Sequence, residues 1–217
     1  TSKTLFPVKA FLKARNLHKK KPYDGIWSIM AAYAGFAALF FKFYRPKVPF
    51  LLNLQEGDPL EYIQARVGFL SPLFKRIFTK ADKIQALSHF LGQWAGRMGH
   101  KGKVEIIPNG VEIKRFENAR LGTFNGESTI LITVSRLVKK NGVGDIIDSL
   151  QFLPESVTLR ILGEGPLEEE LKQQTARRGL GARVEFLGNI PNSELPGYLH
   201  EANIFVRPSL SEGQGIS

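Results

Sequence analysis

The stretch TILITVSRLVKKNGVGDIIDSL, residues 129–150, decides the fold class, because it joins a short apolar run to a helical pattern through a basic loop. A short apolar run between helical patterns is typical of a buried strand in a parallel βαβ unit. The same order recurs along the chain. We predict strands at residues 25–29, 50–54, 83–87, 104–108, 129–134, 157–162, 184–188 and 203–208. The fold class is therefore predicted to be α/β, with two doubly wound parallel sheets.

A polar stretch with an Asn-Gly turn signal, residues 118–128, divides this pattern into two halves. We predict a partial N-terminal domain at 1–117, a linker at 118–128 and a partial C-terminal domain at 129–217. Each half has about four strands where a doubly wound domain usually has five or six, so both domains are expected to be incomplete. Ile26, Trp27, Leu51, Ile132 and Val206 are expected on central strands.

The clearest helical pattern covers residues 166–178, with Pro166 predicted at the first helical position and Gly179 after the last. The longest uncharged run, residues 25–41, has 17 residues and is shorter than the roughly 20 that span a bilayer. We predict that it forms a buried strand followed by a helix of small residues. The N-terminus lacks the pattern of a signal peptide, and we expect a cytoplasmic protein.

Several function classes are disfavoured by what the sequence lacks. The chain has no cysteine, which excludes disulfides, thiol catalysis and iron–sulfur ligation. Its four histidines form no HExxH pair, so we expect no metal site. Neither a complete GxGxxG nor a GxSxG is present, which disfavours a dinucleotide dehydrogenase and a serine hydrolase.

The charge is concentrated in the first half of the chain. Residues 1–110 hold 18 Lys and Arg against 6 Asp and Glu, whereas the remaining residues hold 12 against 14. This asymmetry predicts an anionic partner for the first half, such as a membrane surface or an acidic acceptor. A non-catalytic basic module for membrane or nucleic acid is the alternative from another class, but the first half shows no pattern of a nucleic-acid-binding module, so no nucleic acid is expected.

Three loops that follow predicted strands carry the chemistry. SRLVKKNG, residues 135–142, places Arg136, Lys139 and Lys140 at a helix entrance, an arrangement that suits a diphosphate. GEGP, residues 163–166, presents the carboxylate of Glu164 to a base or ribose. RPSLSEGQGIS, residues 207–217, is a Ser- and Gly-rich loop with the single carboxylate of Glu212.

These loops, together with IPNGV at residues 107–111, resemble in content and order the retaining glycosyltransferases of group 1, family 4. The resemblance is specific from about residue 81 to residue 217. It implies the GT-B fold of two Rossmann-like domains and transfer of a sugar, with retention, from a nucleoside-diphosphate-sugar to a saccharide or lipid-linked acceptor. It also implies no metal and no cofactor, and contact with an anionic membrane at its inner face is a further expectation. A sugar-nucleotide epimerase or a phosphorylase on the same fold is the alternative.

The resemblance also implies roles for individual residues. Arg136 and Lys140 would meet the charge of the diphosphate, and Glu212 would hydrogen-bond the sugar hydroxyls. Glu164 would lie near the nucleoside. The remaining candidates are donor-binding backbone groups and acceptor-side residues: Gly213, Gln214, Gly215 and Ile216 for the donor, and Gln55, Glu56 and Asn109 for the acceptor.

The chain departs from the family pattern at three places. Asn141 stands where the family's loop usually has Lys, so we assign the phosphate-binding role to Lys140. Gln55 stands where many members carry His. The second Glu of the family's E-x7-E motif would fall at position 220, after Ser217, and we therefore expect the chain to be part of a longer enzyme and inactive alone.

Overall fold

The computed structural model describes residues 5–117 and 128–213. The chain forms two compact units, of which the first holds the described residues up to Asn109 together with Glu212 and Gly213. The second holds the described residues from Gly110 to Ser211. Apart from Ser128, the predicted linker lies outside the described residues, and the predicted domain bounds stay predictions.

The first unit is built on a parallel sheet with the strand order β1-β2-β3-β4. Its strands are β1 (Ile26–Ile29), β2 (Phe50–Leu54), β3 (Lys83–Ala86) and β4 (Val104–Ile106). Its helices are α1 (Phe6–Lys20), α2 (Ala34–Tyr44), α3 (Leu60–Val67), α4 (Ser71–Lys80) and α5 (His89–Arg97), with a 3₁₀ turn at Gly68–Leu70. The described strands follow one another in chain order, so the order of this sheet contains no reversal.

The core of the first unit contains an aromatic cluster formed by side chains of α4 and α5. The ring of Trp94 lies 5.0 Å from that of Phe78 and 6.2 Å from that of Phe74, and all three side chains are fully buried. Helix α2 packs closely on α4 because Gly35 has no side chain, and a Cβ there would lie 3.1 Å from Ile77. The uncharged run at 25–41 thus contains a strand followed by a helix, as predicted, but the strand is not buried as expected, because only Ser28 of β1 is buried. No helix within the described residues is long and apolar enough to cross a bilayer.

The second unit is also a parallel sheet, but its strand order is β7-β6-β5-β8. Its strands are β5 (Thr129–Val134), β6 (Val157–Leu162), β7 (Val184–Gly188) and β8 (Ile204–Phe205). Its helices are α6 (Lys114–Glu117), α7 (Val143–Ser149), α8 (Glu168–Arg177) and α9 (Leu195–Glu201), and 3₁₀ turns cover Lys139–Asn141 and Leu150–Phe152. The chain builds outward from β5 to β7 and then returns to the other side of β5.

The eight predicted strands are present, which confirms the α/β class with two parallel sheets. Three details were wrong. Ile26 and Trp27 lie on β1, an edge strand of the described sheet, and Trp27 is 65% exposed. Val206 lies just past β8, which is also an edge strand.

The third detail is the start of α8, which begins at Glu168 rather than at Pro166. The reason is a loop contact that the helical pattern does not contain. The backbone N–H of Leu167 donates to the carbonyl of Leu137 at 3.2 Å, and this bond holds the residues before Glu168 in the loop. The predicted end is confirmed, because Gly179 follows α8 with a φ of 69°.

Candidate functional site

The order of the second sheet reverses between β5 and β8, and this defines a crevice at their carboxyl ends. In open parallel sheets, ligands bind at such a reversal, because the loops leave the two strands in opposite directions. Arg136 lies two residues after β5, and Arg207 lies two residues after β8. Two of the three predicted loops therefore start beside the reversal.

The loop after β6 is joined to the loop after β5 by backbone contacts. The N–H of Leu137 donates to the carbonyl of Glu164 at 2.9 Å. Gly163 has a φ of 128°, and a Cβ there would collide with the carbonyl of Ser135. A Cβ at Gly165 would collide with the backbone of Leu137. Both glycines therefore serve the close approach of one loop to its neighbour.

The loop after β8 is joined to the loop after β5 in the same way. The N–H of Leu210 donates to the carbonyl of Lys140 at 2.7 Å. Gly142 has a φ of 66°, and a Cβ there would lie 2.5 Å from the carbonyl oxygen of Pro208. The three loops thus hold each other in place, which limits the movement of the residues they carry.

Asn141 shapes the loop that carries Arg136. Its side chain is buried, and its Nδ2 donates to the carbonyl of Arg136 at 2.6 Å. Asn141, which replaces the Lys usual in the family, therefore has a structural role in this loop. Arg136 itself is exposed and Lys140 is half-buried.

A cleft of about 520 Å³ opens at the carboxyl ends of β5, β6 and β7. It brings together two of the predicted residues, Arg136 and Glu164, whereas Lys140 is not among the described residues that line it. Sequence reasoning missed Asn189 and Asn192, which also line the cleft. Asn189 directly follows β7 and Asn192 lies four residues after it. This position is the signal that could have identified them, because the carboxyl ends of parallel strands share one edge of the sheet.

Glu212 and Gly213 belong to the first unit, where Gly213 lies against the backbone of Glu56. A Cβ at Gly213 would overlap the carbonyl oxygen of Glu56. The predicted donor residues Gln214, Gly215 and Ile216 lie outside the described part of the chain. The structure thus brings one predicted donor residue next to one predicted acceptor residue.

The acceptor-side candidates follow β2 and β4. Glu56 is 1% exposed, and its Oε1 accepts a hydrogen bond from the N–H of Ala31 at 2.5 Å. Its Oε2 is buried without a hydrogen-bond partner among the described residues. Burial raises the pKa of the Glu56 carboxyl, and the N–H of Ala31 opposes this only in part. Gln55 is half-buried and Asn109 is exposed.

In the parts of the chain that the structure describes, no three His, Asp or Glu side chains are grouped so that they could hold a metal ion. The expected absence of a metal and of a cofactor stays a prediction.

Comparison with known proteins gives matches over nearly the whole chain. Residues 2–115 match the family described as "Glycosyltransferase Family 4", and residues 114–217 match "Glycosyl transferases group 1". The putative teichuronic acid biosynthesis glycosyltransferase TuaC of Bacillus subtilis is 28% identical over 176 residues. That alignment covers 77% of this chain and 42% of TuaC.

A second relative is the GDP-mannose-dependent alpha-(1-6)-phosphatidylinositol monomannoside mannosyltransferase of Mycolicibacterium smegmatis. It is 29% identical over 155 residues, which is 65% of this chain and 40% of the relative. The chain thus spans about two fifths of the length of these curated relatives. Their names give no support to an epimerase, a phosphorylase or a non-catalytic basic module.

Solved structures show the same fold. Sucrose-phosphate synthase from Thermosynechococcus elongatus superimposes with a TM-score of 0.81 at 20% identity, covering 100% of this chain and 58% of that one. Anabaena HepE, solved in complex with UDP and glucose, superimposes with a TM-score of 0.73 at 21% identity, covering 93% of this chain and 57% of that one. With these matches at both the sequence and the fold level, the chain belongs to the group 1, family 4 glycosyltransferases, which have the GT-B fold.

Proposed function

We propose that the protein transfers a sugar from a nucleoside-diphosphate-sugar to an acceptor hydroxyl, with retention of the anomeric configuration. The observation that carries the proposal is the reversal of strand order between β5 and β8, with Arg136 on the loop beside it. The nucleotide sugar is a substrate, and the proposed reaction requires no further cofactor. HepE, which shares the fold, is named as a complex with UDP and glucose.

The chemical step breaks the bond from C1 of the sugar to the diphosphate and forms one from C1 to the acceptor oxygen. The acceptor proton leaves with the diphosphate. The barrier lies in separating an oxocarbenium-like sugar from the departing diphosphate, and fixed cations lower it by meeting the charge as it develops. In the proposal, Arg136 and Lys140 have this role.

The contacts that hold the three loops together support the role of Arg136. Arg136 lies on a backbone that Asn141 and the loop after β6 hold in place, so little reorganisation is needed when charge develops. We assign Glu164 to the nucleoside, Glu212 to the sugar hydroxyls and the backbone N–H groups from Gly213 to Ile216 to the sugar and diphosphate. Gln55, Glu56 and Asn109 are assigned to the acceptor side.

The test is calorimetric titration with UDP and, separately, with GDP. Charge-assisted hydrogen bonds contribute on the order of 1.5–3 kcal/mol, so Arg136→Ala should weaken binding roughly 10- to 150-fold. The matched control is Arg177→Ala, which removes an exposed guanidinium from the last turn of α8, and we expect it to change the affinity less than about twofold. Equal affinities for the two variants would contradict the assignment, and binding of neither nucleotide to the unsubstituted protein would contradict the proposed function.

We further propose that the first unit contacts an anionic membrane from the cytoplasmic side. The support is its charge: residues 1–55 contain ten Lys and Arg and a single acidic residue, Asp24. Electrostatic attachment weakens with salt, because the Debye length falls from about 10 Å at 0.1 M to about 3 Å at 1 M. We expect salt-sensitive sedimentation with anionic vesicles and none with neutral ones. Equal sedimentation with both would contradict this contact.

A further inference from the structure

The first unit contains a second cleft of about 520 Å³, lined by α1, the turn before α2, the loop after β2, and helices α2, α3 and α4. Its wall is mostly apolar. Side chains that form this wall include Val8, Met30, Phe36, Phe40, Val67 and Leu73. Such a surface leaves most hydroxyl groups of a bound saccharide without partners, which is costly, and favours an aliphatic ligand.

One polar group on the wall has no partner. Glu56 lines the cleft, and its Oε2 is buried without a hydrogen bond from any described residue. A buried carboxyl oxygen of this kind is normally satisfied by a partner. Because the other oxygen of Glu56 already accepts from Ala31, Oε2 is the carboxyl oxygen whose hydrogen-bonding capacity is unused.

A cation also lines the cleft. The guanidinium of Arg66 donates to the hydroxyl of Tyr33 at 2.7 Å and to that of Tyr62 at 3.3 Å. These two bonds orient the guanidinium but use only part of its five N–H donors, and the planar fork of Arg suits a phosphate. Asp58 lines the cleft as a second acidic residue beside Glu56, whereas α1, the helix that contributes Val8 to the wall, has no acidic residue.

The turn before α2 is strained at two residues that line the cleft. Met30 has a φ of 69° and Tyr33 has a φ of 49°, and neither is glycine. Residues held in this region carry a conformational cost, and they concentrate at sites where ligands bind. The backbone strain thus falls on two residues that line the cleft, and the hydroxyl of one of them, Tyr33, orients Arg66.

We propose that this cleft binds a lipid phosphate acceptor, with its aliphatic chain on the apolar wall, its phosphate at Arg66 and a headgroup hydroxyl at Oε2 of Glu56. The inference rests on the proposed function, because it selects a lipid rather than a saccharide as the acceptor class. Residues 1–55, which include α1 and α2, hold ten Lys and Arg and a single acidic residue, Asp24, and this positive charge complements such a headgroup.

The two methionines of the chain allow a direct test. Met30 lines the cleft, whereas Met98 is buried in the core of the same unit and serves as an internal reference. We would titrate the full chain, labelled with ¹³C at the methionine methyl groups, with octyl, decyl and dodecyl phosphate and with inorganic phosphate. The Met30 signal should shift and saturate while that of Met98 stays unchanged. Because burial of each added methylene on the apolar wall favours binding, each two-carbon extension should tighten binding roughly tenfold.

A matched pair of variants distinguishes binding inside the cleft from general electrostatic attraction to α1. Val8 lines the cleft and Leu12, one turn later on the same helix, does not; they are 47% and 46% exposed. Val8→Glu should weaken the binding of dodecyl phosphate at least about tenfold, because it introduces a carboxylate at the apolar wall. Leu12→Glu makes the same charge change and should weaken it less than about twofold. Equal effects of the two variants would overturn the proposal.

Other results of these titrations also test the lipid phosphate proposal. An unshifted Met30 signal with dodecyl phosphate, or binding of dodecyl maltoside as tight as that of dodecyl phosphate, overturns the lipid phosphate class. Calorimetry with UDP and GDP on the same samples distinguishes failure of the acceptor proposal from failure of the proposed function. Nucleotide binding without chain-length dependence overturns the acceptor class alone, whereas loss of nucleotide binding in the unsubstituted protein overturns the proposed function.

Discussion

Glu56 shows at the scale of one residue how burial and chemistry are coupled. Its carboxyl is almost fully buried, and the loss of hydration raises its pKa above the ordinary value of 4.5. Below 4.5 the group is protonated in both the folded and the unfolded chain. As the pH rises above 4.5, Glu56 ionises first in the unfolded chain. The stabilisation that Glu56 contributes is therefore lost progressively until the pH has passed its pKa in the folded protein.

Glu56→Gln should remove this pH dependence, because an amide cannot ionise and can still accept the bond from Ala31. We expect the free energy of unfolding of the unsubstituted protein to fall relative to that of the variant as the pH rises above 4.5. The difference in free energy of unfolding between the two proteins should change by up to about 1.4 kcal/mol per pH unit. Urea denaturation of both proteins at several pH values measures it, and parallel pH profiles would contradict the account.

Arg136 and Glu164 were predicted from the sequence as site residues, and the structure places both in the lining of one cleft. Asn189 and Asn192 were missed, because their only signal is their place in the loop after β7, and an amide there has no distinctive spacing. The role of Asn141 was also missed. Its bond to the carbonyl of Arg136 depends on the path of the loop, which a local pattern does not contain.

At the scale of elements, the loops after β5 and β6 depend on each other through the glycines of the GEGP turn. Gly163→Ala should destabilise the second unit by about 2 kcal/mol or more, because it adds strain at a positive φ and a clash with Ser135. Gly181→Ala is the control, since a Cβ there meets nothing within 4 Å. Thermal and urea denaturation should show little change for the control, and equal losses would contradict the proposed packing.

A second link between elements is the ion pair between Lys42 of α2, which is buried, and Asp82, which is exposed and directly precedes β3. Nζ of Lys42 lies 2.6 Å from Oδ2 of Asp82, which also accepts from the N–H of Phe50 at 2.7 Å. Partial burial opposes ionisation of Asp82, but the bonds from Lys42 and Phe50 outweigh it and lower the pKa of Asp82 below 3.8. This contribution is present above pH 3.8 and is lost as the pH falls through the lowered pKa.

Asp82→Ala leaves Lys42 buried without its counter-charge, and we expect a loss of about 1–3 kcal/mol near neutral pH. Glu105→Ala is the matched control, because Glu105 pairs with Lys103 at 3.1 Å on the surface, where such pairs contribute about 0–1 kcal/mol. Urea denaturation at pH 7 measures both. A loss for Asp82→Ala no larger than that for Glu105→Ala would contradict the account of the Lys42–Asp82 pair.

At the scale of the whole molecule, the short apolar runs predicted the fold class and the eight strands, because a parallel sheet buries both faces of each strand. The order of strands within each sheet was beyond that pattern. Trp27 was expected on a central strand and lies on an edge, since apolar content does not tell which neighbours a strand pairs with. The reversal between β5 and β8, on which the candidate site depends, likewise came only from the structure.

The most direct test of the central claim, that a nucleotide sugar binds beside this reversal, is hydrogen exchange measured with and without UDP-glucose and, separately, GDP-mannose. Binding at the carboxyl ends of β5 and β8 should slow exchange of backbone amides in the loops at 135–142 and 207–213 with at least one donor. The surface turn at 178–183, after α8, should exchange equally in all samples and serves as the reference. Unchanged exchange in both loops with either donor, or protection confined to residues 5–109, would contradict the account.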